Sequence, residues 1–438
     1  MRLNLFLKVV ILGALTFAFA IALLSIYGVV MERKRYRDQV VSEVAQSTAR
    51  NQTVVGPLLV VRYREQVETG AKDQATRTQI GEVVVLPETL AIRSRVEVEE
   101  RARGIYRAPV FRSRQTLNGT FELPPRLGLT EIRGPVQVDR VTLVLGVTDP
   151  RGLRKPPAIR WGGAPLAVVA GARESWIDRG ISADVNAPLV DRAERRAFEI
   201  DLDLVGTDWI SFVPVGASTD ATMESNWPHP SFTGGFLPDE RTVGKKGFRA
   251  SWTLSRFATG VQDWVDRLRL GNGGSPGGCD FSVRFVRPVD VYQQSERAVK
   301  YGMLFVLLTF VSFLIFEVLK QLDVHPIQYG LAGAAVALFF LLLLSLSEHV
   351  AFPLAYLAAS LACVGLLAYY VGHVLHSATR GFGFGALLGV LYGLLYVLLQ
   401  SEDYALLLGS LLLFGLLAVV MVMTRRVDWY RLGEPAKR

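Results

Sequence analysis

The feature that most limits what this chain can become is the length and spacing of its apolar runs. Five follow one another in the C-terminal third: Tyr301 to Leu319, Ile327 to Leu346, Val350 to Val371, Phe382 to Leu399 and Tyr404 to Met423. A sixth, Val9 to Val30, carries no charged residue. A helix rising about 1.5 Å per residue needs about 20 apolar residues to cross a hydrocarbon layer of roughly 30 Å. Each run therefore reads as a membrane span. Ala18-Phe19-Ala20 looks like a signal-peptidase site, but the apolar run continues well past it. That is too long for the hydrophobic part of a cleaved signal, so the first run reads as an uncleaved anchor.

Residues 31–299 have another character. Phe198, Ile200, Leu202 and Leu204 alternate with acidic neighbours, and Phe248, Ala250, Trp252 and Leu254 alternate with polar or basic ones, as do Phe281, Val283 and Phe285. A period of two marks half-buried strands. Asn118-Gly119, Pro124-Pro125, Asp149-Pro150, Pro156-Pro157 and Gly162-Gly163 read as turns between them. Short helices are expected at Asp220 to Asn226 and Phe257 to Leu268, and Ser42 to Gln46 extends the anchor helix. The expected fold is an integral membrane protein. It has six transmembrane α-helices and a large extracytoplasmic β-rich, sandwich-like domain inserted between helix 1 and helix 2. The expected divisions are 1–30 anchor, 31–299 β-rich domain with two subdomains allowed, 300–424 five-helix bundle and 425–438 tail.

Charge sets the orientation. The tail from Arg425 carries five Lys/Arg against two acids and reads as cytoplasmic. Counting back through six spans puts the large domain outside and the N-terminus, with Arg2 and Lys8, inside. The cluster Arg33, Lys34, Arg35 and Arg37 opposes this count, yet long domains translocate largely regardless of charge. Residues 9–300 hold 39 basic and 33 acidic residues, interleaved, with no basic stripe carrying aromatics. Nucleic acid is therefore not an expected partner. Cys279 and Cys363 lie in different regions, so no disulfide is expected.

Candidate chemistry is sparse. The sequence has no Walker lysine, HExxH, CxxC or dinucleotide-binding glycine pattern. Gly273 to Gly277 formally matches a nucleophile elbow, but Pro276 and the flanking glycines argue for a linker. His229 stands between Pro228 and Pro230, with Trp227 and Phe232 beside it. This reads either as a rigid loop presenting an imidazole or as a stiffened loop with an aromatic plug. Glu348 and His349 sit at the outer end of a span, where Glu402, Asp403 or His229 would be needed to complete a metal site. Glu317 with Lys320 reads as an interfacial ion pair, and Asp323, His325, His373 and His376 as interfacial groups. The functional candidates are Trp227, His229, Phe232, Glu348 and His349, with no catalytic, cofactor or metal residue assigned and no cofactor expected.

Several long stretches carry a resemblance. WPHPSFTGGFLP (Trp227 to Pro238), GFRASW (Gly247 to Trp252), GIYRAPVF (Gly104 to Phe111), RPVDVYQQSERAVKYGMLFVLLTF (Arg287 to Phe310) and the run from His325 to Tyr356 resemble the CreD family of inner-membrane proteins. The likeness covers the chain, with the glycine linker Gly271 to Gly278 as the departure. It implies a multi-pass protein of the bacterial inner membrane. It also implies a role in envelope integrity and in stress or colicin tolerance, typically under a two-component system. It supplies no reaction. The first reading is a non-enzymatic protein whose periplasmic domain engages a lipid, envelope polymer or protein partner. The rival is a membrane-surface enzyme, metal-dependent in one version, or a transporter, with its site between domain and bundle.

Overall fold

A computed structural model describes residues 5–68, 76–129, 136–174, 176–177, 179–187, 191–270, 278–287, 291–320, 325–374, 377–400 and 405–424. The chain forms two units, residues 39–288 and residues 1–38 with 289–438. Helix α1 (Leu5–Ser47) starts in the second and ends in the first.

The 39–288 unit is built of strands β1 (Gln52–Glu68), β2 (Thr76–Val85), β3 (Thr89–Arg103), β4 (Tyr106–Leu123), β5 (Val136–Val147), β6 (Ala158–Trp161), β7 (Ala164–Leu166) and β8 (Val168–Ala170). They continue with β9 (Gly180–Asp184), β10 (Glu194–Thr207), β11 (Trp209–Val213), β12 (Ser218–Ser225), β13 (Pro230–Gly234), β14 (Glu240–Gly244), β15 (Gly247–Ser255) and β16 (Phe281–Phe285). Among the described residues these make two sheets. One runs β13-β16-β11-β1-β5-β9-β8 with β2 also on β1, and the other runs β14-β15-β12-β3-β4-β10-β6-β7. Two parallel pairs, β1 with β11 and β3 with β12, join distant parts of the chain into otherwise antiparallel ladders.

The sheets pack face to face because alternate residues on both are apolar. Phe198, Ile200, Leu202 and Leu204 of β10 and Phe248, Ala250 and Trp252 of β15 share one core with Phe281, Val283 and Phe285 of β16. Trp252 stacks on Phe281 across the sheets with ring centroids 4.7 Å apart. Phe111 of β4 meets Phe285 at 5.4 Å, and Phe232 of β13 meets Phe248 edge-on at 5.6 Å. Rings of this size each remove a large apolar area from water.

Three local expectations are settled by pairing. Gly162-Gly163, with φ of 55° and 86°, turns β6 into β7 as a two-residue hairpin requires. Asn118-Gly119 is not a turn. It lies inside β4, where Gly119 faces Leu90 and Phe198. A Cβ at 119 would stand 1.9 Å from the Thr89 carbonyl oxygen, so the glycine serves close approach of two strands. Asp220 to Asn226 is not helical either: Ser218–Ser225 is β12, bonded on both sides by β3 and β15, with Thr219, Ala221 and Met223 turned into the core. The helical expectation from Phe257 is met by α2 (Arg256–Thr259) and α3 (Val261–Arg269), broken at Gly260 with φ 57°.

The end of α1 is fixed within the same unit. Val41 and Val44 pack on Ala108, Val110 and Val205. Arg151 Nη1 donates to the Gln46 carbonyl at 2.8 Å and Thr207 Oγ1 to the Ala49 carbonyl at 3.1 Å, so acceptors that a helix end leaves open are satisfied. Arg151 also grips the buried Asp149 and holds its carboxyl down at about 2.

The second unit adds α4 (Val291–Lys300), α5 (Gly302–Lys320), α6 (Pro326–Ser347), α7 (Phe352–Val374), α8 (Ala378–Gln400) and α9 (Ala405–Thr424). Four helices, α1, α6, α7 and α8, are long and apolar enough to cross a membrane over their described residues. Small residues set the contacts. A Cβ on Gly333 of α6 would fall 2.3 Å from the Phe19 ring of α1. One on Gly381 of α8 would fall 2.6 Å from backbone atoms of α7, and one on Gly385 2.7 Å from Ala368. Gly365 of α7, by contrast, faces open space. His325 caps α6: its Nδ1 accepts from Ile327 N and Pro326 takes the first helical position. Cys279 and Cys363 are both free.

Candidate functional site

The five sequence candidates fall in separate units. Trp227, His229 and Phe232 belong to residues 39–288, and Glu348 and His349 to the unit with the bundle helices.

Residues 226–229 form a strap across the edge of the sandwich. Asn226 accepts from Val98 N at 2.8 Å and donates to Val98 O at 3.2 Å, which holds it to β3. Trp227 Nε1 donates to the Val286 carbonyl at 2.9 Å, and the His229 carbonyl accepts from Val286 N at 3.2 Å. One sheet is gripped by Asn226 and the strand end of the other by Trp227 and His229. Pro228 and Pro230 stiffen the backbone between these contacts. Phe232 then enters the core edge, against Phe248 and Trp252, under the Arg241 guanidinium. The His229 ring is exposed.

Glu348 is half-buried at the end of α6 and is already engaged. It accepts from the Tyr292 hydroxyl of α4 at 3.2 Å, and Arg33 of α1 approaches it to 3.8 Å. Arg37 lies over the Tyr292 ring at 5.7 Å. One turn along α4, Glu296 accepts from Lys300 at 2.9 Å, Lys34 at 3.1 Å and the Tyr27 hydroxyl at 3.5 Å. The Lys300 ammonium, then Lys34, hold the Glu296 carboxyl below the usual carboxylate range. His349, next to Glu348, is exposed. Among the described residues no three His, Cys, Asp or Glu side chains converge on a point that could hold a metal ion. Asp323, His376, Glu402, Asp403, residues 271–277 and the tail from 425 lie outside the described residues, as do the side chains of Glu317 and Lys320.

The network missed by sequence reasoning is therefore Tyr27, Arg33, Lys34 and Arg37 of α1 with Tyr292, Glu296 and Lys300 of α4. Its signal was present: a basic cluster just past the first apolar run and acids flanking two later ones. Replacing Glu296 by Ala leaves two lysines and a tyrosine without their acceptor. Because Lys34 and Lys300 are partly solvated, the expected loss is about 1–2 kcal/mol. The low Glu296 value gives the sign with pH: its stabilising contribution is present above the ordinary carboxylate range and disappears as pH falls through the folded value. Thermal melts of the detergent-solubilised protein at neutral and acidic pH measure both.

Comparison with known proteins decides the relationship. A family model described as "Inner membrane protein CreD" matches residues 4–430. The chain belongs to the CreD family. The Inner membrane protein CreD of Escherichia coli (strain K12) is 35% identical over 439 residues, covering 98% of this chain and 95% of that protein. The protein is thus an inner-membrane CreD-family member with apolar helices and a large β-rich region. Among solved structures, an M1 zinc metallopeptidase from Deinococcus radiodurans matches at TM-score 0.23 and 10% identity, over 46% of this chain and 42% of that one. A two-domain M1 zinc metallopeptidase mutant bound to L-tryptophan matches at TM-score 0.19 and 9% identity, over 46% of this chain and 44% of that one. The chain spans less than half the length of these peptidases, and likenesses at such scores carry no argument for this CreD-family chain.

Proposed function

We propose that this CreD-family chain contributes to cell-envelope integrity and to stress or colicin tolerance as a non-enzymatic membrane protein. In this reading six spans cross the inner membrane and both termini are cytoplasmic. The β-rich domain between the first two spans stands in the periplasm, where it engages a lipid, an envelope polymer or a protein partner. Family membership over residues 4–430 is the observation that carries it. The structure adds support for the orientation. Arg33, Lys34 and Arg37, the cluster that opposes the positive-inside count, face Glu348, Glu296 and the Tyr292 ring, so they are not simply free charge beside a span. The strap residues and Glu348 also have structural employment, which favours a binding module over a reactive centre built from them. Deleting the gene is expected to change sensitivity to detergents, colicins or cell-wall antibiotics, with recovery when the chain is supplied again. Wild-type sensitivity to all three classes would overturn the proposal.

A further inference from the structure

The outer face of the second sheet holds a cleft of about 840 Å³ over strands β3, β4, β10 and β12. Six cations line it: Arg93, Arg95, Arg112, Arg114, Lys155 and Arg249, against Asp201, Asp203 and Glu224. Two of the acids are committed. Arg112 grips Asp203 through two nitrogens, and Thr116 Oγ1 donates to Asp201 at 2.9 Å. The remaining cations are loosely held. Glu224 lies 3.7 Å from Arg95 and 3.3 Å from Arg249, and Glu97 lies 3.8 Å from Arg114, all on largely exposed arginines. Arg93 has no ion-pair partner among the described residues.

The placement conflicts with sheet stability. Arg95 of β3 stands directly opposite Arg114 of β4, with Arg93 and Arg112 two residues away on the same face. Like charges opposed across a ladder repel. A local conflict of this kind, set in a concave surface, marks a place where a ligand supplies the missing charge. Neighbouring strands lie about 4.8 Å apart and same-face residues about 6.8 Å apart, so the cations form a grid rather than a single pocket. A second cleft of about 660 Å³ shares Arg95, Glu224 and Arg249 and carries the grid on to Lys245 and Lys246 at the β14–β15 turn. Guanidinium forks match phosphate oxygens two at a time. No aromatic side chain is among the residues that line the 840 Å³ cleft, so nothing there offers a stacking platform for bases.

We infer that this face binds a linear phosphate polyanion, an envelope polymer carrying repeated phosphate groups. The inference rests on the proposed function only for where such a polymer is met. A purified-protein assay and the deletion phenotype can therefore fail independently.

The test uses the full chain in detergent micelles and a fluorescently labelled short polyphosphate, read by anisotropy at low salt. Binding is expected, weakening steadily as salt rises. Replacing Arg93, Arg95 and Arg114 together by Gln should weaken it about tenfold or more, since each lost contact is a charge-assisted hydrogen bond. Arg64→Gln, on the other sheet, should leave it unchanged. Arg93→Gln alone serves if the triple variant melts early, because Arg93 gives up no ion pair, and it should weaken binding about threefold or more. Absence of polyphosphate binding, or equal binding by variants and parent, overturns the inference. So does displacement by inorganic phosphate at equal total phosphate, which would mean single-anion binding. Retention on phosphatidylglycerol vesicles without polyphosphate binding would assign the face to the membrane surface and also overturn it.

Discussion

Replacing Trp252 by Ala is expected to destabilise the β-rich unit by about 3–5 kcal/mol, the cost of emptying a large aromatic site in a core that cannot collapse onto it. Trp252 is 1% exposed and lies between the sheets, stacked on Phe281 at 4.7 Å and edge-on to Phe232 at 6.1 Å. Phe281 and Phe232 sit on β16 and β13, so the cavity would open against the opposite sheet. The indole nitrogen has no hydrogen-bond partner among the described residues. Trp252→Phe therefore removes a buried unpaired donor along with part of the ring, and its loss should be well below that of Ala. Chemical denaturation followed by tryptophan-independent circular dichroism separates the two. Equal losses for Ala and Phe would mean that the nitrogen, not the packing, matters at this position.

The second large effect concerns Glu174. Its carboxyl is 5% exposed beside Arg62, which also binds Glu82 through 2.7 Å and 3.2 Å contacts. Burial, then the neighbouring Glu82 charge, pushes Glu174 from 4.5 up to about 7, with Arg62 opposing. A raised folded value means that stability is full below the ordinary carboxylate value and is lost as pH rises through about 7. Glu82 is shifted the other way: burial raises it, but the contacts from Arg62 and Trp176 together bring it below the ordinary value, so its window lies below that value. Between the ordinary carboxylate value and about 7, Glu174 is the one of the pair that titrates. Glu174→Gln is expected to stabilise the protein at pH 8 by on the order of 2 kcal/mol, with the gain shrinking toward pH 5. Arg62 keeps Glu82, so the substitution strands no cation. Melting temperatures of parent and variant across that range provide the check, and a gain independent of pH would contradict the assignment.

Much of the architecture was legible in the residue pattern because it follows from local periodicity. The alternations at Phe198 to Leu204, Phe248 to Leu254 and Phe281 to Phe285 became β10, β15 and β16, and the apolar runs became helices. The failures came from pairing at long range. Asp220 to Asn226 carries helix-forming Ala, Met and Glu, and only the flanking β3 and β15 make it a strand. Asn118-Gly119 has turn chemistry, but the glycine answers to the Thr89 carbonyl from another strand. The candidate site was legible as residues and not as an arrangement. Nothing local tells that Lys34 meets Glu296 across 262 positions or that Tyr292 meets Glu348. Their one trace in the sequence is that opposite charges flank the ends of apolar runs.

The β-rich domain is proposed to work on the outer side of the inner membrane. Lys245 is exposed at the two-residue turn between β14 and β15, and the chain has only two cysteines to remove. A Lys245→Cys variant in a Cys279→Ser, Cys363→Ala background can be treated with a membrane-impermeant maleimide in cells whose outer membrane alone is permeabilised. Labelling equal to that of lysed cells is the predicted result; labelling that appears only after the inner membrane is broken would contradict the account.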